Sequence, residues 1–349
     1  MAYTTINKSS LHFDPKIYLG SSNAVTVSGL GFQPDWVWVK DRDNGNNHVW
    51  VDAVRGAGKF IQSNLNNAQV NNSSQSISAF TSDGFTTGTA NPANESASTT
   101  KGFISWNWKA SGSTASNTDG SINSTVSANT TAGFSIVSYT GTGSNATVGH
   151  GLGSAPGWIV LKNRTTNRNW EILHHKNTAS PATQQLEFIT DATATVTTQW
   201  NSVMPTSSVF SIGTNDSTNK NGDSFIAYCF AEKTGYSKFG SYKGNESTDG
   251  TFVYTGFKPA WIMGKRTDSA NNWYMFDSTR DTFNVTDKKL RADTNAVENV
   301  NSSKTIDILS NGFKIKSTDA EFNASGGTYI FMAFGQTIVG SNNIPATAR

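Results

Sequence analysis

The residues best placed to do chemistry are two matched pairs, Asp52-x-x-Arg55 and Asp277-x-x-Arg280, each shortly after a tryptophan. A carboxylate and a guanidinium held at corresponding places could grip a polar ligand. They also serve as an ion pair tying a strand end to its turn, and this is the expected reading, because exposed pairs are common and individually weak. Trp50, Trp170 and Trp273 each follow a polar turn. An exposed indole stacks on a sugar face with its N–H free for a hydroxyl. Packing at a strand end is the plainer use, and the favoured one. These seven side chains are the candidate ligand contacts.

Other chemistry finds little support. The five histidines are scattered, and His174 and His175, adjacent in a strand, point to opposite faces and cannot chelate together. His175 and a neutral stretch stand in the middle of the chain where the two Asp–Arg pairs have their counterparts. Gly149-His150-Gly151-Leu152-Gly153 precedes a strand, without the helix N-terminus that phosphate binding needs. No Gly-x-Ser-x-Gly elbow occurs. Asp83 and Glu95 read as solvated loop carboxylates. A glycosidase needs no local motif for its two acids, so a glycan-cleaving enzyme stays as the least favoured function. The expectation is a non-enzymatic protein with no metal and no cofactor.

The elements that would position these residues follow from composition and repetition. Only 15% of the 349 residues are charged, and polarity comes from Ser, Thr, Asn and 31 Gly, residues of strands and turns. Ten Trp, 20 Phe and nine Tyr supply the bulk for packed cores. The net charge of +2, without a Lys/Arg run, argues against nucleic acid or an acidic membrane as partner. No stretch reaches the ~18 apolar residues of a membrane span. The first residues lack the apolar core of a secretory signal, so release from a cell is expected by lysis. One cysteine, Cys229, allows no intrachain disulfide.

One pattern recurs three times. Gly31-Phe32-Gln33-Pro34-Asp35-Trp36-Val37-Trp38-Val39-Lys40 returns at Pro156-Gly157-Trp158-Ile159-Val160-Leu161-Lys162 and at Pro259-Ala260-Trp261-Ile262-Met263-Gly264-Lys265. Proline opens a strand readily, and the run after it reads as a strand buried on both faces. Each copy begins with Tyr-x-Gly (Tyr18, Tyr139, Tyr242), carries a second tryptophan, and ends on a strand such as Phe225-Ile226-Ala227-Tyr228-Cys229-Phe230. The predicted fold is all-β: three tandem β-sandwich repeats of jelly-roll or lectin-like kind, each of about 100 residues. They occupy 14–110, 132–235 and 236–349, with an N-terminal arm at 1–13. Residues 111–131 form an exposed linker that contributes one edge strand to the second repeat. Partner contacts are expected where the copies differ, in segments 91–100, 176–199, 216–223 and 281–302.

These motifs resemble a family of proteins from phages of marine bacteria, cyanophages included. The carriers are the Gly-Phe-x-Pro-x-Trp segments, Asp52-Ala53-Val54-Arg55-Gly56, Ser82-Asp83-Gly84-Phe85 and Ala227-Tyr228-Cys229-Phe230-Ala231-Glu232-Lys233-Thr234-Gly235-Tyr236. The resemblance runs from about Phe13 to Arg349 and implies a tail-fibre-like virion protein, carrying no catalytic residues over. Many members look like the distal part of longer fibres, whereas this chain has little ahead of its first repeat. The resulting expectation is a virion surface protein, made in the host cytoplasm and placed on the tail or capsid exterior. It would act as a tail-fibre or receptor-binding component, with other virion proteins and host-surface polysaccharide as partners. A capsid decoration, or cement, protein is the alternative. A homotrimer suits a fibre.

Overall fold

A computed structural model describes residues 4–95 and 102–336; Met1 to Tyr3 of the expected arm, residues 96–100 of the segment 91–100, and 337–349 of the third repeat lie outside it. The chain folds almost wholly into antiparallel strands, and one arrangement occurs three times. In the first unit β1 (Phe13–Leu19), β2 (Trp36–Asp41), β3 (Val49–Asp52) and β4 (Gly102–Trp108) form a sheet ordered β1-β4-β2-β3. In the second, β5 (Phe134–Thr140), β6 (Trp158–Asn163), β7 (Glu171–His174) and β8 (Ser224–Phe230) are ordered β5-β8-β6-β7. In the third, β9 (Ser237–Lys243), β10 (Pro259–Arg266), β11 (Tyr274–Asp277) and β12 (Thr328–Gly335) are ordered β9-β12-β10-β11. The strand after each proline lies second from the edge of this four-strand set, with a hydrogen-bonded neighbour on each side; all six residues of β2 are buried.

The two faces of each sheet go to different cores. Val37, Val39, Val49, Val51 and Phe103 pack against a small outer sheet of Thr26–Val27, Gly84–Thr87 and Ile77–Thr81. The second and third units repeat this outer sandwich, around Phe210 and around Phe313. The opposite faces of all three sheets meet in one central cluster. It holds Trp36, Trp38, Trp50, Trp106 and Trp108 of the first unit, Trp158, Trp170, Tyr228 and Phe230 of the second, and Trp261, Trp273, Met332 and Phe334 of the third. Trp36 stacks on Tyr228 at 4.7 Å between centroids, Trp50 meets Trp170 at 4.7 Å, and Phe230 meets Phe334 at 5.6 Å.

The expectation of sandwiches set end to end is corrected here: each keeps its own outer core, and a further central core joins all three. Period two puts the bulky residues of the last strand on one face, as read from sequence. That face does not belong to its own sandwich. It is the seam with the other two units.

The expected linker is also more than a tether. Ala115–Asn117 and Ser124–Asn129 add two strands, where one was expected, to the edge of the second sheet beyond β5. Each unit further sends out a hairpin after its β3, β7 or β11 strand: Lys59–Phe60 with Val70–Asn71, Gln184–Gln185 with Ala194–Thr195, and Lys288–Arg291 with Asn299–Val300. The tips of these hairpins act as hooks on the neighbouring unit.

Candidate functional site

The Asp–Arg pairs lie at the joints between units. Across the β2/β3 ladder Trp36 faces Asp52, and across β10/β11 Trp261 faces Asp277. The residue facing Trp158 across β6/β7 is His174, so the counterpart in the second unit is His174 and not His175. Asp52 Oδ2 accepts from Arg55 Nε and from the Tyr228 hydroxyl of the second unit at 2.7 Å, while Oδ1 accepts from the Arg55 amide at 2.8 Å. Asp277 Oδ2 accepts from Arg280 Nε at 2.6 Å and from Trp106 Nε1 of the first unit at 3.1 Å. His174 Nε2 donates to the Phe331 carbonyl of the third unit at 3.1 Å.

Tyr228 and Trp106 occupy the same mid-strand position, where the third unit has Met332. A thioether has no proton to donate. The second unit accordingly carries a donor, neutral histidine, in place of an acceptor. Both Asp–Arg pairs have side chains with no exposed surface. They are ion pairs, as expected, but buried ones, and no ligand reaches them.

The three candidate tryptophans are likewise closed off: Trp50, Trp170 and Trp273 are 0%, 2% and 0% exposed. This burial fits strand-end packing, the favoured reading, and corrects the alternative of partly exposed indoles open to a sugar. Nor are the three equivalent. Trp50 faces Trp38, whereas Trp170 and Trp273 sit two residues further along, at the level of Lys162 and Lys265. Their counterpart is His48. The signal was present in the spacing, since 48, 170 and 273 each follow the motif lysine (40, 162, 265) by eight residues.

This position grips the neighbour's hook. Trp170 Nε1 donates to the Gln62 carbonyl at 2.9 Å, Trp273 Nε1 to the Glu187 carbonyl at 2.8 Å, and His48 Nε2 to the Arg291 carbonyl at 2.9 Å. His48 Nδ1 accepts from Trp38 Nε1, so the ring is neutral with its proton on Nε2; burial, helped by Lys40, lowers its pKa to about 3. Lys162 donates to the Asn66 carbonyl at 3.0 Å and Lys265 to that of Thr190 at 2.9 Å. Burial lowers Lys162 to about 7 and Lys265 to about 8. A backbone bond completes each joint: Gln69 to Arg164, Thr193 to Thr267, and Glu298 to Arg42. The hooks run from unit one to two, two to three and three to one, closing a ring of approximate threefold character.

A further repeated constellation was not read from the sequence. Tyr18, Tyr139 and Tyr242 donate through their hydroxyls to the carbonyls of Ala93, Thr218 and Phe322. The next residue is Asn each time. Asn94, Asn219 and Asn323 accept from a backbone amide just past the Tyr-x-Gly and donate to two carbonyls. Segments 91–95 and 216–223, expected to differ between copies, therefore share a pinning residue, while 176–199 and 281–302 contain hooks. An asparagine among many in a polar chain gave no sequence signal.

With the repeated chemistry consumed inside, the accessible differences lie on the outer sheets. On the third unit, strand Phe252–Tyr254 buries Val253 and turns Phe252 and Tyr254 outward, 44% and 61% exposed. Phe252 faces Lys314, which faces Asp307; Tyr254 faces Gly312, which faces Leu309. The outward face thus reads aromatic, cation, anion in one row and aromatic, glycine, leucine in the next. In register, the first unit has Thr26, Thr86 and Ala79 in the first row, and the second has Thr147 and Ser211. Two rings two residues apart on a rigid strand, about 7 Å from each other, make a platform on which flat apolar faces can stack. Among the described residues no group of His, Cys, Asp and Glu is arranged to hold a metal ion.

The family described as "Domain of unknown function (DUF7483)" matches residues 8–337, and the chain belongs to it. No curated protein and no solved structure matches the chain.

Proposed function

We propose that this member of the DUF7483 family is a non-enzymatic attachment protein on the exterior of a bacteriophage particle. In this reading it binds host-surface polysaccharide through the outward face of its third unit. The observation that carries the proposal is the pair Phe252 and Tyr254, exposed on a strand and flanked by Lys314 and Asp307, where the other two units present Thr, Ser and Ala. A sugar ring offers apolar C–H faces to an aromatic ring and hydroxyls to charged neighbours. The scaffold beneath is held by a shared core and cross-unit bonds, which suits a module that loses little conformational freedom on binding. The resemblance to virion proteins of marine phages supports the location.

The test is binding of the purified chain to a panel of immobilised bacterial surface polysaccharides. Phe252→Ala with Tyr254→Ala is expected to weaken binding. At about 0.5–1.5 kcal/mol per aromatic contact, the loss is roughly 5- to 150-fold. Unchanged binding, or release of reducing sugar by the protein, contradicts the proposal. A cement role on the capsid is the second reading, favoured by the threefold ring, which suits a threefold position on a lattice. Labelling particles with an antibody and imaging them separates tail from capsid.

A further inference from the structure

The hook of the third unit carries a pocket lined by cations. This pocket of about 250 Å³ lies along its hairpin, walled by Lys289, Arg291, Lys304, Asn299, Asn301 and Val297. Lys289 is buried and bonded to Glu321, which also accepts from Arg291 Nε at 3.0 Å and Nη2 at 3.2 Å. Lys304 pairs with Asp319. Three cations thus line the pocket and no carboxylate does; Glu321 and Asp319 pair with them from outside the lining and Asp293 also acts on Arg291, in a concave, partly dehydrated place where charges interact more strongly than in open water. Asn299 and Asn301 add neutral amides to the lining.

In register, the positions of Lys289 and Arg291 are Phe60 and Gln62 in the first unit, and Gln185 and Glu187 in the second. The cationic character therefore belongs to this unit alone. Burial holds Lys289 below the ordinary lysine range; its partner Glu321 opposes that shift, and Arg291 and Lys304 add to it.

Asn301 and Lys304 of the pocket are followed in sequence by Ser302 and Thr305, which line a second depression. That depression, about 490 Å³, is lined by Ser302, Thr305, Lys316 and two carboxylates, Asp287 and Asp249, the latter ion-paired with Lys314 of the Phe252 row. A chain-like ligand stacked on Phe252 and Tyr254 can follow this run toward Arg291.

We propose that the pocket takes a compact oxyanion, the sulfate ester or carboxylate of an acidic polysaccharide, and so sets the class of glycan the third unit binds. This rests on the attachment reading above and names its ligand class. Arg291 and Lys304 are the side chains to change, because both are partly exposed and Lys289 keeps its bond to Glu321.

The experiment is calorimetric titration of the full chain with sodium sulfate at ionic strength held constant with chloride. Dextran sulfate, polygalacturonate and neutral dextran follow as polymer arms. Saturable sulfate binding, weakened about tenfold or more by Arg291→Gln with Lys304→Gln, is expected, with neither variant shifting the denaturant midpoint appreciably. Dextran sulfate against polygalacturonate then tells sulfate from carboxylate. Absence of saturable sulfate binding by the wild-type chain, or equal binding by the double variant, overturns the pocket. Polysaccharide binding that needs Phe252 and Tyr254 but ignores Arg291 and Lys304 likewise overturns it while leaving the attachment reading intact.

Discussion

Replacing Asp52 by Ala strikes a joint between the first and second units. The carboxylate takes three donors, Arg55 Nε, the Arg55 amide and the Tyr228 hydroxyl. Without it the guanidinium, which has no exposed surface, keeps only the Trp50 carbonyl at 2.8 Å and the Tyr228 oxygen at 3.2 Å. Breaking a buried pair from one side costs about 3–5 kcal/mol, because the remaining charge stays in a dry place. An exposed pair of the kind expected from sequence would cost about 0–1 kcal/mol. The two numbers are far enough apart to decide. Guanidinium unfolding followed by tryptophan fluorescence measures the difference, since nine tryptophans lie in the central cluster. Tyr228→Phe, which removes the hydrogen bond to Asp52 and the longer one from Arg55, should cost at least about 1.5–3 kcal/mol. Replacing the whole network by apolar side chains, Asp52→Leu with Arg55→Met and Tyr228→Phe, should cost less than Asp52→Ala alone. A loss below about 1 kcal/mol for Asp52→Ala refutes the buried-joint reasoning.

Acid should weaken the ring. His48 and His174 have pKa values of about 3, both lowered mainly by burial, against 6.5 unfolded. The unfolded chain therefore takes up protons first, and stability that is full above pH 6.5 is lost as pH falls toward 3. Each histidine contributes about 1.4 kcal/mol per pH unit in that window. Asp293, pushed up to about 6 by burial, opposes part of this between 3.8 and 6. His174→Asn should remove that residue's share of the slope, up to about 1.4 kcal/mol per pH unit, read from denaturant midpoints at pH 7 and 5. Lys162→Met leaves the Asn66 and Arg168 carbonyls without their donor and should cost about 1–3 kcal/mol in the same assay. Cys229 is buried between the sheets of the second unit and its thiol is pushed up by burial. It should react with a thiol reagent only when the chain unfolds globally, and faster in Asp52→Ala. Phe252→Ala with Tyr254→Ala, both exposed, should leave the denaturant midpoint within about 0.5 kcal/mol of wild type.

The all-β class and the recurring strands were legible because period two and the Pro-x-Trp spacing are local signals. The destination of the inward face was not. Trp36 and Trp38 alternate with Val37 and Val39, and that pattern says only that both faces are buried, not whether a face meets its own sandwich or a neighbour. The same limit hid the joints. Asp52-x-x-Arg55 is a short-range pair in sequence, but its third member, Tyr228, lies 176 residues from Asp52. Trp50 was grouped with Trp170 and Trp273 by order after the lysine, when the offset of eight points to His48. The platform of Phe252 and Tyr254 shows only once the register aligns them with Thr26 and Thr147.

The dependence of the units on one another is tested most directly by making residues 132–235 alone. The isolated unit would expose Trp158, Trp170, Tyr228 and Phe230, which the other two units cover in the full chain. Calorimetry should then find no cooperative transition for the isolated monomer, and a single cooperative transition for the full chain. A monomeric 132–235 that melts cooperatively near the full chain's temperature would mean that each unit carries its own complete core.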